Sequence, residues 1–163
     1  MVIAIARARW FAFTLLAVVG ALGGAVLAAP ADNTLEIVVS GGPNAGTYRP
    51  PPAEILCWYF TTQKTLGAVY KDFDVRDPKK IGEAGINIDN PDDAGTKRGT
   101  VLVNFGAPGD KGAVKYSISI PKDSAGPLTL MRSGKSAELT FQGKTKDGVS
   151  IRVTAKCPEL EVV

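Results

Sequence analysis

SAELTFQGKTKDGVSIRVTAKC, residues 136–157, is the stretch that decides the fold. Going into its turn, Ala137, Leu139 and Phe141 share one face. Coming out, Val149, Ile151, Val153, Ala155 and Cys157 share one face, and Ser150, Arg152, Thr154 and Lys156 share the other. This period of two predicts a half-buried β-hairpin. Its connection falls on Lys144-Thr145-Lys146-Asp147-Gly148, where Asp-Gly supplies the positive-φ position that a tight turn between twisted strands requires. The same alternation puts Cys157 on the core face, where the other cysteine of the chain, Cys57, can meet it.

Two cysteines in an exported chain are most simply a disulfide, and this one closes a loop of about one hundred residues, for which chain entropy gives on the order of 4–5 kcal/mol. A thiolate nucleophile is the weaker reading. Cys57 lies inside an apolar run, where burial raises a thiol pKa and makes it inert.

Export is read from the start of the chain. Arg7 and Arg9 form a basic end, Phe11 to Val19 an apolar run, and Ala29-Pro30-Ala31 a small-residue cleavage site before Asp32. Residues 1–31 therefore read as a signal peptide and 32–163 as one β-sandwich domain. The competing reading is a retained anchor, since Phe11 to Ala29 is nearly long enough to span a bilayer, but Gly20, Gly23, Gly24 and the alanine-rich end favour cleavage. No cysteine follows the apolar run as an acylation site, and Arg7-Ala8-Arg9 is not a twin-arginine pair. A secreted or periplasmic product without stable membrane insertion is expected.

Removing 31 of the 163 residues leaves 132, enough for one domain. The leader takes two of the 19 basic residues and none of the 16 acidic ones, so the mature chain carries a net charge of +1. That balance argues against nucleic acid, which needs a dense basic footprint. Lys79-Lys80 and Lys97-Arg98 read as solvated loop charges.

Leu35, Ile37 and Val39 alternate with Glu36 and Ser40 in a first strand that stops at Ser40-Gly41-Gly42-Pro43-Asn44. A short piece at Thr47-Tyr48 follows, and Arg49-Pro50-Pro51-Pro52 is an extended surface connection. Glu54 to Thr62 is unusual in being apolar on both faces: Ile55, Cys57 and Tyr59 on one, Leu56, Trp58 and Phe60 on the other. With Cys57 turned inward, Trp58 and Phe60 point away from the core. Either another layer covers them or they form an exposed aromatic patch, the best ligand-binding surface in the chain. Val69, Phe73 and Val75 then alternate with Tyr70, Asp72 and Asp74 up to Asp77-Pro78, and Ile86 and Ile88 make a short strand. Val101, Val103 and Phe105, against Val114, Tyr116, Ile118 and Ile120, form a second hairpin closed by Pro121, and Leu128 and Leu130 a further short strand. The expected fold is all-β: an antiparallel, immunoglobulin-like β-sandwich of about eight strands with one disulfide, with a small β-barrel as the alternative.

The absence of histidine removes Ser-His-Asp and Cys-His catalysis and the commonest zinc ligand. Carboxylate chemistry survives, since a glycosidase needs two carboxyls about 5 to 10 Å apart, but nothing in the spacing of Glu54, Glu83, Asp89, Asp92 and Asp93 selects a pair. Asp89-Asn90-Pro91-Asp92-Asp93 offers oxygen ligands yet departs from the calcium-loop spacing and lacks its distal glutamate. Gly41 to Gly46 has no lysine in place for a phosphate loop and reads as a turn. No catalytic residues, metal or cofactor are expected.

Gly-Gly-x-x-Ala-Gly-Thr-Tyr (Gly41 to Tyr48) before a cysteine-bearing aromatic strand, and Gly-x-Thr-x-Asp-Gly (Gly143 to Gly148) before a single cysteine, resemble uncharacterised exported bacterial β-sandwich proteins. The second feature is similar to the end of the mycobacterial 19-kilodalton lipoprotein antigen family. The resemblance covers mainly residues 35–60 and 136–157. It implies a disulfide-tied exported sandwich and brings no functional residues with it. Lipid anchoring does not carry over, because the acylation cysteine is missing. The expectation is a non-enzymatic sandwich that binds an unknown protein or glycan ligand or contributes to the cell envelope, with Trp58 and Phe60 as the surface. A carboxylate-dependent glycan hydrolase, a protease inhibitor and a lipid-carrying barrel are the alternatives.

Overall fold

The computed structural model describes residues 31–93, 95, 97–107, 109–120 and 126–163. The expected signal segment lies outside these residues apart from Ala31, as does Pro121. Eleven strands follow one another: β1 (Thr34–Ser40), β2 (Gly46–Tyr48), β3 (Ile55–Phe60), β4 (Thr65–Lys71), β5 (Ile81–Asp89), β6 (Arg98–Phe105), β7 (Val114–Ile120), β8 (Leu128–Ser133), β9 (Ser136–Lys144), β10 (Ser150–Cys157) and β11 (Glu161–Val162). A single 3-10 turn at Pro52–Glu54 precedes β3, and among the described residues no helix is long and apolar enough to cross a membrane.

The strands form two sheets packed face to face, ordered β2-β1-β10-β9-β8 and β11-β3-β4-β5-β6-β7. The sheets do not close into a barrel, so the barrel alternative is not what forms. An immunoglobulin domain deals its middle strands alternately between sheets, whereas here β3 to β7 stay together as one uninterrupted meander.

The hairpin of residues 136–157 is β9 and β10, paired from Ser150↔Lys144 to Cys157↔Ala137, with Gly148 at φ +82° in the turn. Its alternating face enters the core: Leu139, Phe141, Ile151, Val153 and Ala155 are all fully buried. β1 adds to the free side of β10, with Ile37 opposite Val153. Facing them, the second sheet contributes Leu66, Ala68, Ile86, Ile88, Val101, Val103 and Ile118. Full burial of a side chain of this kind stabilises the fold by roughly 1.5–3 kcal/mol.

Three connections tie the layers together. Cys57 of β3 is bonded to Cys157 of β10, with Cα atoms 5.9 Å apart. At one end Tyr116 donates its hydroxyl to the Pro43 carbonyl at 2.6 Å, and its ring and that of Tyr48 flank Phe105 edge-on. Residues 41–45 between β1 and β2 are thereby a turn pinned to the opposite sheet. Along one flank Tyr59 donates to Asp92 at 2.7 Å, and Arg132 of β8 both pairs with Asp92 and lies 4.2 Å above the Tyr59 ring.

The structure departs from the sequence reading in the middle of the chain. β4 begins at Thr65 and ends at Lys71, and it turns Tyr70 inward and Val69 outward. The β3–β4 hairpin sets that register, with Cys57 opposite Ala68 and Leu56 opposite Val69. Phe73, expected in a strand, is 68 % exposed, and Asp72 ends the ladder by accepting the Asp74 amide on its side chain. β5 is longer than its two isoleucines suggest, starting at Ile81 and passing through Gly82 and Gly85. β11 lies parallel to β3 and went unread because it spans only two residues.

Candidate ligand face

Strand β3 lies between β4 and the short β11, and its period of two sends Cys57 inward and Leu56, Trp58 and Phe60 outward. Among the described residues no further layer covers that outer face. Leu56 is 61 % exposed, and Trp58 and Phe60 are half-buried, their ring centroids 6.2 Å apart and tilted by 48°. The half-burial comes from the sheet itself. Trp58 stands opposite Gly67, and a methyl group placed on Gly67 would come within 2.7 Å of the indole and 2.8 Å of the Ile86 carbonyl oxygen. The six-membered ring therefore rests on bare backbone at Gly67, in a place that any side chain would fill.

The register extends this arrangement across the sheet. The row Trp58–Gly67–Asn87–Thr100 runs perpendicular to the strands, and beside it runs Leu56–Val69–Gly85–Leu102. Gly85, like Gly67, has no room for a side chain, its Cβ position lying 2.8 Å from the Ala68 carbonyl oxygen. Beside the Trp58 ring, which fills the place over Gly67, lies a depression of about 250 Å³ floored by Val69, Gly85 and Leu102.

Its rims are polar. On one side Asn87 accepts the Thr100 backbone amide at 2.8 Å. On the other, Lys71 pairs with Glu83 at 3.2 Å, and the Asn104 amide donates to the second Glu83 oxygen at 2.9 Å. Asn104 is buried, and its Oδ1 has no hydrogen-bond partner. The lysine and glutamate neutralise each other, so this rim presents hydrogen-bonding groups without net charge.

The residues singled out from sequence are partly brought together. Trp58 and Phe60 share the face, and Cys57 and Cys157 hold its strand from behind. Glu83 and Asp89 lie on the same face of β5 but six residues apart, which at the rise of an extended strand is about 20 Å, outside the span of a glycosidase pair. Asp92 is engaged by Tyr59 and Arg132, and Asp93 caps the Gly95 amide. In the same loop the Lys97 ammonium sits on the carbonyls of Pro91 and Asp93, filling the place a cation would take. No group of three potential metal-ligating side chains converges among the described residues.

Gly67, Gly85, Asn87, Thr100, Lys71 and Glu83 were not foreseen as parts of one surface. The available signal was glycine inside strands, which marks close approach of a neighbouring group. Which group approaches is a matter of cross-strand register, set by pairings between distant segments. No protein-family model, curated protein or solved structure matches the chain. The reading of the site therefore stands on its geometry.

Proposed function

We propose that the mature chain is an exported, non-enzymatic binding domain whose ligand face is the outer surface of the β3–β7 sheet, centred on Trp58 and Phe60. The observation that carries this reading is the combination of an outward Leu56–Trp58–Phe60 stripe with the glycine-floored depression beside it. A strand used only as scaffold needs one apolar face, and the second apolar face on β3 carries a cost of exposure to water that binding would relieve. The disulfide accords with an oxidising, extracytoplasmic setting. Glu83, Asp92 and Asp93 are each engaged by protein groups, which supports the non-enzymatic reading over the glycan-hydrolase one.

The test is retention of the leaderless, oxidised domain on envelope material fractionated into glycan, lipid and protein. Trp58→Ala and Phe60→Ala should abolish retention on one fraction while circular dichroism and the closed disulfide stay as in the parent. Retention that survives both substitutions, or that disappears instead on neutralising Glu54 or Asp89, would sink the reading.

A further inference from the structure

Resting on that ligand face, we infer that the depression between Trp58 and Leu102 takes a neutral hexopyranose glycan, its chain running across the strands. A pyranose ring has two apolar C–H faces and an equatorial rim of hydroxyls, so it fits a site with an apolar platform, an apolar floor and polar edges on both sides. The structure supplies these in order. The half-buried indole of Trp58, with Cζ2 and Cη2 over Gly67, borders the depression and is the platform for stacking. Val69, Gly85 and Leu102 make the floor of the depression of about 250 Å³.

The edges give the class. Asn87 and Thr100 lie on the row that starts at Trp58, two and three strands away, or about 10 and 14 Å along the sheet. A ring stacked on Trp58 therefore directs its next unit over the glycine gap and towards an amide and a hydroxyl. The opposite edge is the Lys71–Glu83 pair, held from behind by Asn104. An acidic glycan would have to take Lys71 from Glu83 and leave that carboxylate facing it, and a cationic one would meet the lysine. A neutral polyol hydrogen-bonds to both members without separating them. An acyl chain would gain nothing from these polar edges, which disfavours it.

Trp58 reports on the site directly, because Trp10 leaves with the leader. The leaderless oxidised domain should be titrated with cello-oligosaccharides and chito-oligosaccharides as neutral probes, and with oligogalacturonate and chitosan oligomers as charged ones. The expected result is a saturable change in Trp58 emission with at least one neutral series. Affinity should fall about tenfold or more in Trp58→Ala, read by calorimetry, and by severalfold in Thr100→Val. Thr100→Val leaves the indole in place and keeps the test decisive should Trp58→Ala fail to fold. Tighter binding of either charged series, or a Thr100→Val affinity equal to the parent's, overturns the inference. If neither neutral series perturbs Trp58 while Trp58-dependent retention on envelope material persists, the glycan assignment falls and the ligand face stands. If no fraction is retained through Trp58, both fall.

Discussion

Replacing both cysteines, Cys57→Ala with Cys157→Ala, should cost this domain about 4.7 kcal/mol of stability. The bridge joins residues 100 positions apart, and closing a loop of that length removes about that much chain entropy from the unfolded state. Both sulfurs are buried, at 5 % and 1 % exposure of their residues, so the alanines also leave a small unfilled volume, and the loss should not fall below the entropic figure. At about 2.1 cal/mol/K per residue, a domain of roughly 132 residues unfolds with an entropy near 0.28 kcal/mol/K, which turns the loss into a drop of about 17 °C in Tm. The assay is guanidinium unfolding of the parent and the double variant, followed by Trp58 emission and by far-ultraviolet circular dichroism. Removing the cross-link should also raise the m-value, because the unlinked chain exposes more surface when it unfolds. A loss below about 2 kcal/mol with an unchanged m-value would refute the reasoning, since it would mean the denatured chain is confined by something other than the bridge.

Gly67→Ala should lift the Trp58 indole off β4, because the new methyl meets the ring at 2.7 Å and the Ile86 carbonyl oxygen at 2.8 Å; a red-shifted, more readily quenched emission together with a loss of stability of about 1–3 kcal/mol is expected. Tyr116→Phe removes the hydroxyl that holds the Pro43 carbonyl and should cost about 1 kcal/mol in denaturant unfolding. Burial raises the phenol pKa of Tyr116, and burial followed by the nearby Asp72 and Glu54 charges raises that of Tyr70. The unfolded phenols therefore ionise first, near their ordinary value of 10.0. Stability should be independent of these groups at neutral pH and fall as pH climbs above that value, a fall that Tyr116→Phe reduces. Asp92→Asn breaks an ion pair with Arg132 whose aspartate is 68 % exposed, so the change should stay under about 1 kcal/mol at physiological salt.

Much of the sandwich was legible because its hairpins are local. Ala137 to Cys157 alternates cleanly, the Asp-Gly turn fixes its own register, and all five inward residues after the turn are buried. Where alternation was broken by glycine the reading failed: β5 shrank to Ile86 and Ile88, although Gly82 and Gly85 lie within the strand. Propensity treats such glycines as interruptions, whereas here a neighbouring carbonyl lies against each position. The placement of Val69 failed for a related reason. Val69 alternates with Phe73 and Val75 in sequence, but the β3–β4 pairing puts it opposite the outward Leu56, and Phe73 and Val75 lie beyond the end of β4. Trp58 and Phe60 could be placed outward from sequence once Cys57 was placed inward. The depression beside them could not, since it exists only through the juxtaposition of four strands.

The covalent bond and the ligand face are the two sides of one strand. A strand with apolar residues on both faces, as β3 has in Ile55-Leu56-Cys57-Trp58-Tyr59-Phe60, gains nearly as much core contact in either of two registers related by a one-residue slip. Such a slip would bury Trp58 and expose Cys57. The bond to Cys157 removes that alternative, because the sulfur can meet its partner from one face alone. The Gly67 gap accepts the indole in the same register, with Trp58 opposite Gly67 and Cys57 opposite Ala68. Oxidation thus does more than stabilise the domain: it selects the arrangement in which the tryptophan is presented to solvent. The bridge-free double variant, once refolded under stabilising conditions, should accordingly show a heterogeneous Trp58 emission with a shielded component, where the oxidised parent shows one environment.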